Sequence, residues 1–163
     1  MPSIYTQIIQ NVKLNCATQF PFAQQYVRKF PYVNEAPADR PLPLLTISPE
    51  RESQVGADML ATDPQGRTLV TPGYVHVRYP ILVVLIGDGQ EFNETGLYDW
   101  LDLRQQFMEQ AYVPVLANVP EVFDADFEWE AAFDQRLLLE SQYYVSAMRI
   151  SYTARYPRNP QTV

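Results

Sequence analysis

The amino-acid sequence predicts an α+β fold, a mostly antiparallel sheet with two helices packed on one face, in a single domain over residues 1–163. Three observations carry that expectation. Segments 3–19 and 93–112 repeat apolar residues at helical spacing, whereas 74–86, 121–133 and 142–156 alternate or run continuously apolar as strands do. Their order (helix, loop, strands, helix, strand, strand) suits one sheet with its helices collected on one side. A chain of 163 residues that is 47% apolar and 19% charged can also bury a sizeable core.

The first helix opens at Ser3, whose hydroxyl can accept a free backbone N–H of the first turn. Ile4, Ile8, Val12 and Cys16 recur every four residues beside Tyr5 and Ile9 and make one apolar stripe. Pro21 limits this helix. Phe22, Tyr26 and Phe30 suggest a short second helix over Phe22–Lys29, ended by Pro31. Residues 31–43 hold four prolines and read as an extended, Pro-rich connector. Leu44–Ser48 is a short strand closed by Pro49. Residues 50–73 form a polar excursion, a long loop or hairpin, with turn signals at Asp63-Pro64, Gln65-Gly66 and Pro72-Gly73 and a short strand at Arg67–Thr71.

Tyr74–Ile86 carries the clearest strand pattern. Its first half alternates, and Ile81–Ile86 is continuously apolar and largely β-branched, which suits a strand entering the middle of a sheet covered on both faces. Pro80 cannot donate to a ladder, so a neighbour should be absent or bulged there. Gly87-Asp88-Gly89 ends the strand. Asn93 caps a helix running to Tyr112, with Leu97, Trp100, Leu101, Phe107, Met108 and Ala111 as its buried face. In Glu121–Phe133, Phe123, Ala125, Phe127, Trp129, Ala131 and Phe133 point one way, and Asp124, Asp126, Glu128 and Glu130 the other. In Gln142–Tyr156, Tyr144, Met148, Ile150, Tyr152 and Tyr156 share one face; Arg149 and Arg155 lie opposite with Tyr143, Val145 and Ala147. The polar tail, 157–163, reads as loose.

The formal net charge is −7 and is unevenly spread. Residues 1–87 hold six acids and seven bases, 88–134 twelve acids and one base (Arg104), and 135–163 one acid and four bases. A basic nucleic-acid footprint is therefore missing. No apolar run reaches the ~18 residues of a transmembrane helix, so no membrane association is expected, and the N-terminus carries no signal-peptide pattern. The single Cys16 excludes an intrachain disulfide and a cysteine-cluster metal site, and the single His76 excludes a two-histidine motif.

Asp124, Asp126, Glu128 and Glu130 form the sharpest chemical constellation. Carboxylates can bind Mg²⁺ or Ca²⁺, but neighbours at i and i+2 on a strand stand ~7 Å apart, which makes a row and not a cage. The plainer reading is a solvated strand face, partly neutralised by Arg149 and Arg155 if the last strand pairs beside it. A row of this kind can also act through its field, as a repulsive wall. Gly87-Asp88-Gly89 lies between strand and helix like a phosphate loop, yet it lacks a lysine and brings Asp88, Glu91 and Glu94, so it reads as a connector. No G-x-S-x-G elbow accompanies His76. Cys16 reads as a core residue. The tyrosines of the last strand suit core and subunit-interface positions.

Five stretches carry a resemblance: the opening helix with IYTQIIQNV, the strand YPILVVLIG, the helix LYDWLDLRQQF, the strand VFDADFEWEAAF and the closing strand QYYVSAMRISYTARY. In order and texture they resemble the tail-terminator and neck (head–tail joining) proteins of long-tailed bacteriophages, over most of the chain. The resemblance implies a tail-terminator-like fold and a structural virion protein that is not an enzyme and needs no cofactor. It would be a ring-forming subunit, usually of a hexamer, assembled in the host cytoplasm. Such a ring caps the tail tube protein and joins it to the head-side connector or neck proteins, with DNA passing through the lumen and no specific binding. An acidic lumen suits that passage, since it does not grip a polyanion. Either Asp124, Asp126, Glu128 and Glu130, or Asp88, Glu91 and Glu94, would line or rim the channel. The competing readings are a carboxylate-dependent or metal-dependent hydrolase and a small adaptor or binding module.

Overall fold

A computed structural model describes residues 2–29, 42–54, 65, 74–89, 93–111, 116 and 118–157. The expected connector at 31–43, the excursion at 50–73, Glu91 and the tail at 157–163 therefore lie largely or wholly outside the described residues. The chain folds as α+β: a mixed six-stranded sheet with three helices.

Helix α1 (Ile4–Gln19) begins as its sequence predicts. Ser3 sits in extended backbone, and its hydroxyl accepts the Thr6 N–H at 3.1 Å. Ile8, Val12 and Cys16 are fully buried, so the four-residue repeat is the face that meets the sheet. The helix stops at Phe20, whose N–H still reaches the Cys16 carbonyl.

The expected second helix at Phe22–Lys29 is corrected: Gln24–Val27 is strand β1, parallel to β2 (Leu44–Pro49), with Val27 opposite Ile47. The nine residues between Pro21 and Pro31 are too few to hold a helix alone. The open edge of β2 offers this segment a hydrogen-bond ladder instead, and Arg28 N–H extends it to the Ile47 carbonyl.

The centre of the sheet is β4 (Tyr74–Asp88), two residues longer than expected. On one side it pairs antiparallel with β2, from Leu44–Ile86 to Pro49–Ile81, and with the two-residue β3 (Ser53–Gln54) at Arg78 and Val77. Pro80 falls in the gap between those two partners, as a residue with no N–H requires. Its carbonyl faces that gap and accepts the Glu50 N–H at 3.0 Å. The Tyr5 hydroxyl of α1 also lies within hydrogen-bond distance of the Pro80 and Glu50 carbonyls.

On its other side β4 pairs along its whole length with the antiparallel β6 (Tyr143–Pro157). Beyond β6 lies β5 (Val122–Trp129), also antiparallel, which makes the order β1-β2-β4-β6-β5. Two connectors differ from expectation. Residues 130–133 leave the sheet, so the strand is shorter than Glu121–Phe133. The seven-residue helix α3 (Gln135–Ser141) then leads into β6. Its Arg136–Glu140 pair at 3.0 Å is an i,i+4 contact on its exposed side.

Helix α2 (Glu94–Gln110) is capped by the Asn93 side chain, which accepts the Gly96 N–H at 2.7 Å. Trp100, Phe107 and Ala111 are buried with α1 against Val83, Leu85, Met148 and Ile150, so α1 and α2 share one face of the sheet. Leu101, expected in that face, is exposed; Leu103 packs there instead, because the 100–103–107–111 spacing follows the helical turn more closely.

The opposite face carries no described helix. Its apolar part is Leu44, Val84, Ile86 and Ala147, with Tyr26, Leu82 and Val145 beside them.

Candidate functional site: an acidic edge strand

The pleat of β5 sets out its side chains. Asp124, Asp126 and Glu128 stand opposite Thr153, Ser151 and Arg149 of β6 on the helix-free face. Ala125, Phe127 and Trp129 stand opposite Tyr152, Ile150 and Met148 on the helix side. The three acids are exposed, and Glu128 keeps 81% of its side-chain surface in water. Glu130 lies just past the strand, also exposed, and its backbone N–H is still bonded to Ala147.

One residue departs from the expected alternation. A β-bulge between Val122 and Asp124 inserts Phe123 as an extra residue. Phe123 thereby moves to the acidic face, edge-on to His76 with ring centroids 5.7 Å apart and under the Arg155 guanidinium at 5.4 Å. The alternation of the sequence does not announce this shift, since an inserted residue leaves the pattern of residue types intact.

Arg149 and Arg155, expected as charge partners, both lie on this face. Arg149 reaches Glu128 at 3.8 Å, but its closer partner is Glu50, at 2.5 Å from Nε. The hydrogen bond to Glu50 raises the Arg149 pKa further above its ordinary value, opposed by partial desolvation. Glu50 follows β2 and is 99 residues away in sequence, so only the crossing of the strands could identify it. Arg149 thus ties the exit of β2 to the edge strand.

The other acidic group is placed elsewhere. Asp88 ends β4 opposite Tyr143, eight register positions along β6 from Asp126's partner Ser151 and so ~27 Å away. It is exposed and lines a cleft of about 370 Å³ with Asp99, Trp100, Leu42 and Pro43. Glu94 is exposed at the start of α2 and accepts the Tyr98 hydroxyl at 2.7 Å. Glu91 lies outside the described residues. The acid-rich third of the sequence is therefore split between two ends and two layers of the fold.

The glycines beside Asp88 serve packing. A Cβ on Gly87 would stand 2.7 Å from the Trp100 ring, and one on Gly89 2.5 Å from Leu138. Trp100 is fixed from three sides: it stacks on Tyr144 at 5.1 Å, its Nε1 donates to the Ala132 carbonyl at 2.7 Å, and Gly87 lies beneath it. Arg104, the one base of the acidic third, donates to the Glu130 carbonyl at 2.7 Å. It secures the chain as it leaves β5 through a backbone carbonyl and not through a carboxylate of the row.

His76 is buried beside Phe123, and its Nε2 has no hydrogen-bond partner among the described residues. Cys16 is fully buried in the core, where burial pushes its thiol up to about 12. Among the described residues no three His, Cys, Asp or Glu side chains converge as metal ligands, and no helix is long and apolar enough to cross a membrane. Carboxylates ~7 Å apart along one strand form a row and not the cage a single cation needs. What the row can do is present an extended negative field at the sheet edge. Comparison with protein-family models and with curated proteins finds no match.

Proposed function

We propose that the chain is a structural subunit of a ring, a tail terminator or neck subunit of a long-tailed bacteriophage that caps the tail tube and joins it to the head-side connector. The observation that carries this reading is the exposed carboxylate row of β5. It is solvated, regularly spaced and separate from the Asp88 cleft, as suits a surface that acts by its field. In such a ring Asp124, Asp126 and Glu128 line the channel. Passing DNA is repelled and not retained, because binding a polyanion requires cations that release its counterions. Asp88, at the far end of β4, and Glu94, at the start of α2, belong to a rim. The α+β order of elements supports the same reading through its resemblance to those ring proteins.

The test is light scattering after gel filtration together with negative-stain imaging of the full chain. Closed rings with a central channel are expected, and a strict monomer at every concentration overturns the reading. Charge reversal of Asp124, Asp126 and Glu128 to lysine is expected to leave folding intact and to make the assembly retain DNA in a salt-sensitive way. Unchanged, negligible DNA retention would remove the channel role from this face.

A further inference from the structure

We infer that copies of this chain pack flank to flank through their helix layers: an apolar step between α2 and the helix side of β5 in one copy receives the α1–β1 flank of the next. The inference rests on the ring reading and names its contact.

The apolar arc of α2 is wider than the core it covers. Trp100, Phe107 and Ala111 are buried, yet Leu97 and Met108 are only partly covered and Leu101 is exposed. Leu97, Leu101, Arg104 and Met108 stand at i, i+4, i+7 and i+11, along one flank of the helix. Arg104 donates to the Glu130 carbonyl and, at 3.4 Å, to the Ser146 hydroxyl, so this flank is turned toward the exit of β5. There Phe127 and Trp129 stand on the helix side, leaning on each other at 4.9 Å, with Trp129 still 45% exposed. The two rings form the floor of the step and the flank of α2 its wall.

A second apolar group lies on the other side of the molecule. α1 packs over β1 and β2, at the opposite end of the strand order from β5. Leu14 on α1, Phe22 in the turn after it (52% exposed) and Val27 on the helix side of β1 all open to water. Of the eight large hydrophobic side chains exposed among the described residues, these are three, and Tyr98, Leu101, Phe127 and Trp129 are four. Apolar residues exposed singly need no partner, whereas two groups on opposite flanks mark contact surfaces.

Charge matches the two flanks to each other. The charge of α1 is the exposed Lys13, and no acid precedes Glu35 in the sequence. α2 carries four acids against Arg104, with Asp102 and Glu109 exposed. An α1 flank therefore suits the α2 side of a second copy, while two α2 sides would oppose like charges. The joined surfaces differ, so the contact is heterologous and can close into a ring. Both belong to the helix side of the sheet, so the contact leaves Asp124, Asp126 and Glu128, on the helix-free face, to the channel.

Two full-chain variants test this, Lys13→Glu/Phe22→Ser on the α1 flank and Leu101→Ser/Trp129→Thr on the step. Each alone is expected to lose self-association by at least about tenfold in sedimentation velocity. Mixed in equal amounts, they are expected to give a heterodimer and nothing larger, because one intact step then meets one intact α1 flank. A second readout uses the assembled ring. Phe22→Cys and Leu101→Cys, mixed and treated with a bismaleimide, are expected to cross-link to each other and not to themselves; the buried Cys16 stays silent. Rings unaffected by both variants, a mixture that stays monomeric, or Leu101→Cys linking to itself overturns the flank contact and leaves the ring reading standing. A wild-type chain that is monomeric at every concentration overturns both.

Discussion

β4 and β5 flank the same strand, β6, and are built on opposite plans. Apart from Arg78 and the exposed terminal Asp88, the fifteen residues of β4 carry no formal charge, and from Val83 to Gly87 every residue is buried. β5 has eight residues, three of them acids, and only partial cover. The difference teaches where this protein can hold its negative charge. A carboxylate placed on β4 would lose its water and cost several kcal/mol unless paired. The same group on the edge stays hydrated and costs little. Cohesion therefore resides in the β4–β6 pairing, and β5 is left free to act outward.

The largest effect that sharpens this comparison uses one level of the sheet, where Ile81 of β4 and Phe127 of β5 stand on either side of Ile150. Ile81→Ala empties a fully buried site and is expected to cost about 2–5 kcal/mol in urea denaturation. Phe127→Ala is expected to cost less than half of that, and equal losses would break the comparison. Alkaline pH probes the buried side again. Cys16 ionises near 9 when unfolded and near 12 when folded, so its thiol favours folding below pH 9, and that contribution is lost as pH rises toward 12. Cys16→Val is expected to flatten the alkaline limb of the stability–pH curve, by up to about 4 kcal/mol at its far end.

Gly87→Ala pushes a methyl group against Trp100 at the end of β4 and is expected to cost about 1–3 kcal/mol, with a change in the near-UV signal of Trp100 and Tyr144. The smallest effect lies at the edge. A double-mutant cycle on Arg149 and Glu50 is expected to give about 1 kcal/mol of coupling, and one on Arg149 and the exposed Glu128 no more than about 0.5 kcal/mol. A larger Glu128 coupling would mean that β5 is held to the sheet by its charges.

Long regular patterns were legible and short or interrupted ones were not. The caps at Ser3 and Asn93, the buried stripe of α1, the two faces of β6 and the gap beside Pro80 all follow from local rules. The aromatic spacing of β1 suits helix and strand alike, and the edge of β2 decides between them. The seven-residue α3 is too short to show a period. Within the candidate site, the exposure of Asp124, Asp126 and Glu128 and the position of Arg149 could be read from alternation. The Glu50 contact and the turn of Phe123 could not, since one needs two distant strands brought together and the other needs a bulge.

By itself the sequence determined that the chain builds an α+β core and that residues 88–134 carry the negative excess, because both depend on residue types and near-neighbour spacing. The tertiary structure alone decided that this excess divides between the Asp88 end of β4, the exposed surface of α2 and the β5 edge. Strand order and register set those positions, and they arise from backbone pairing between segments far apart in the chain, which no local pattern encodes.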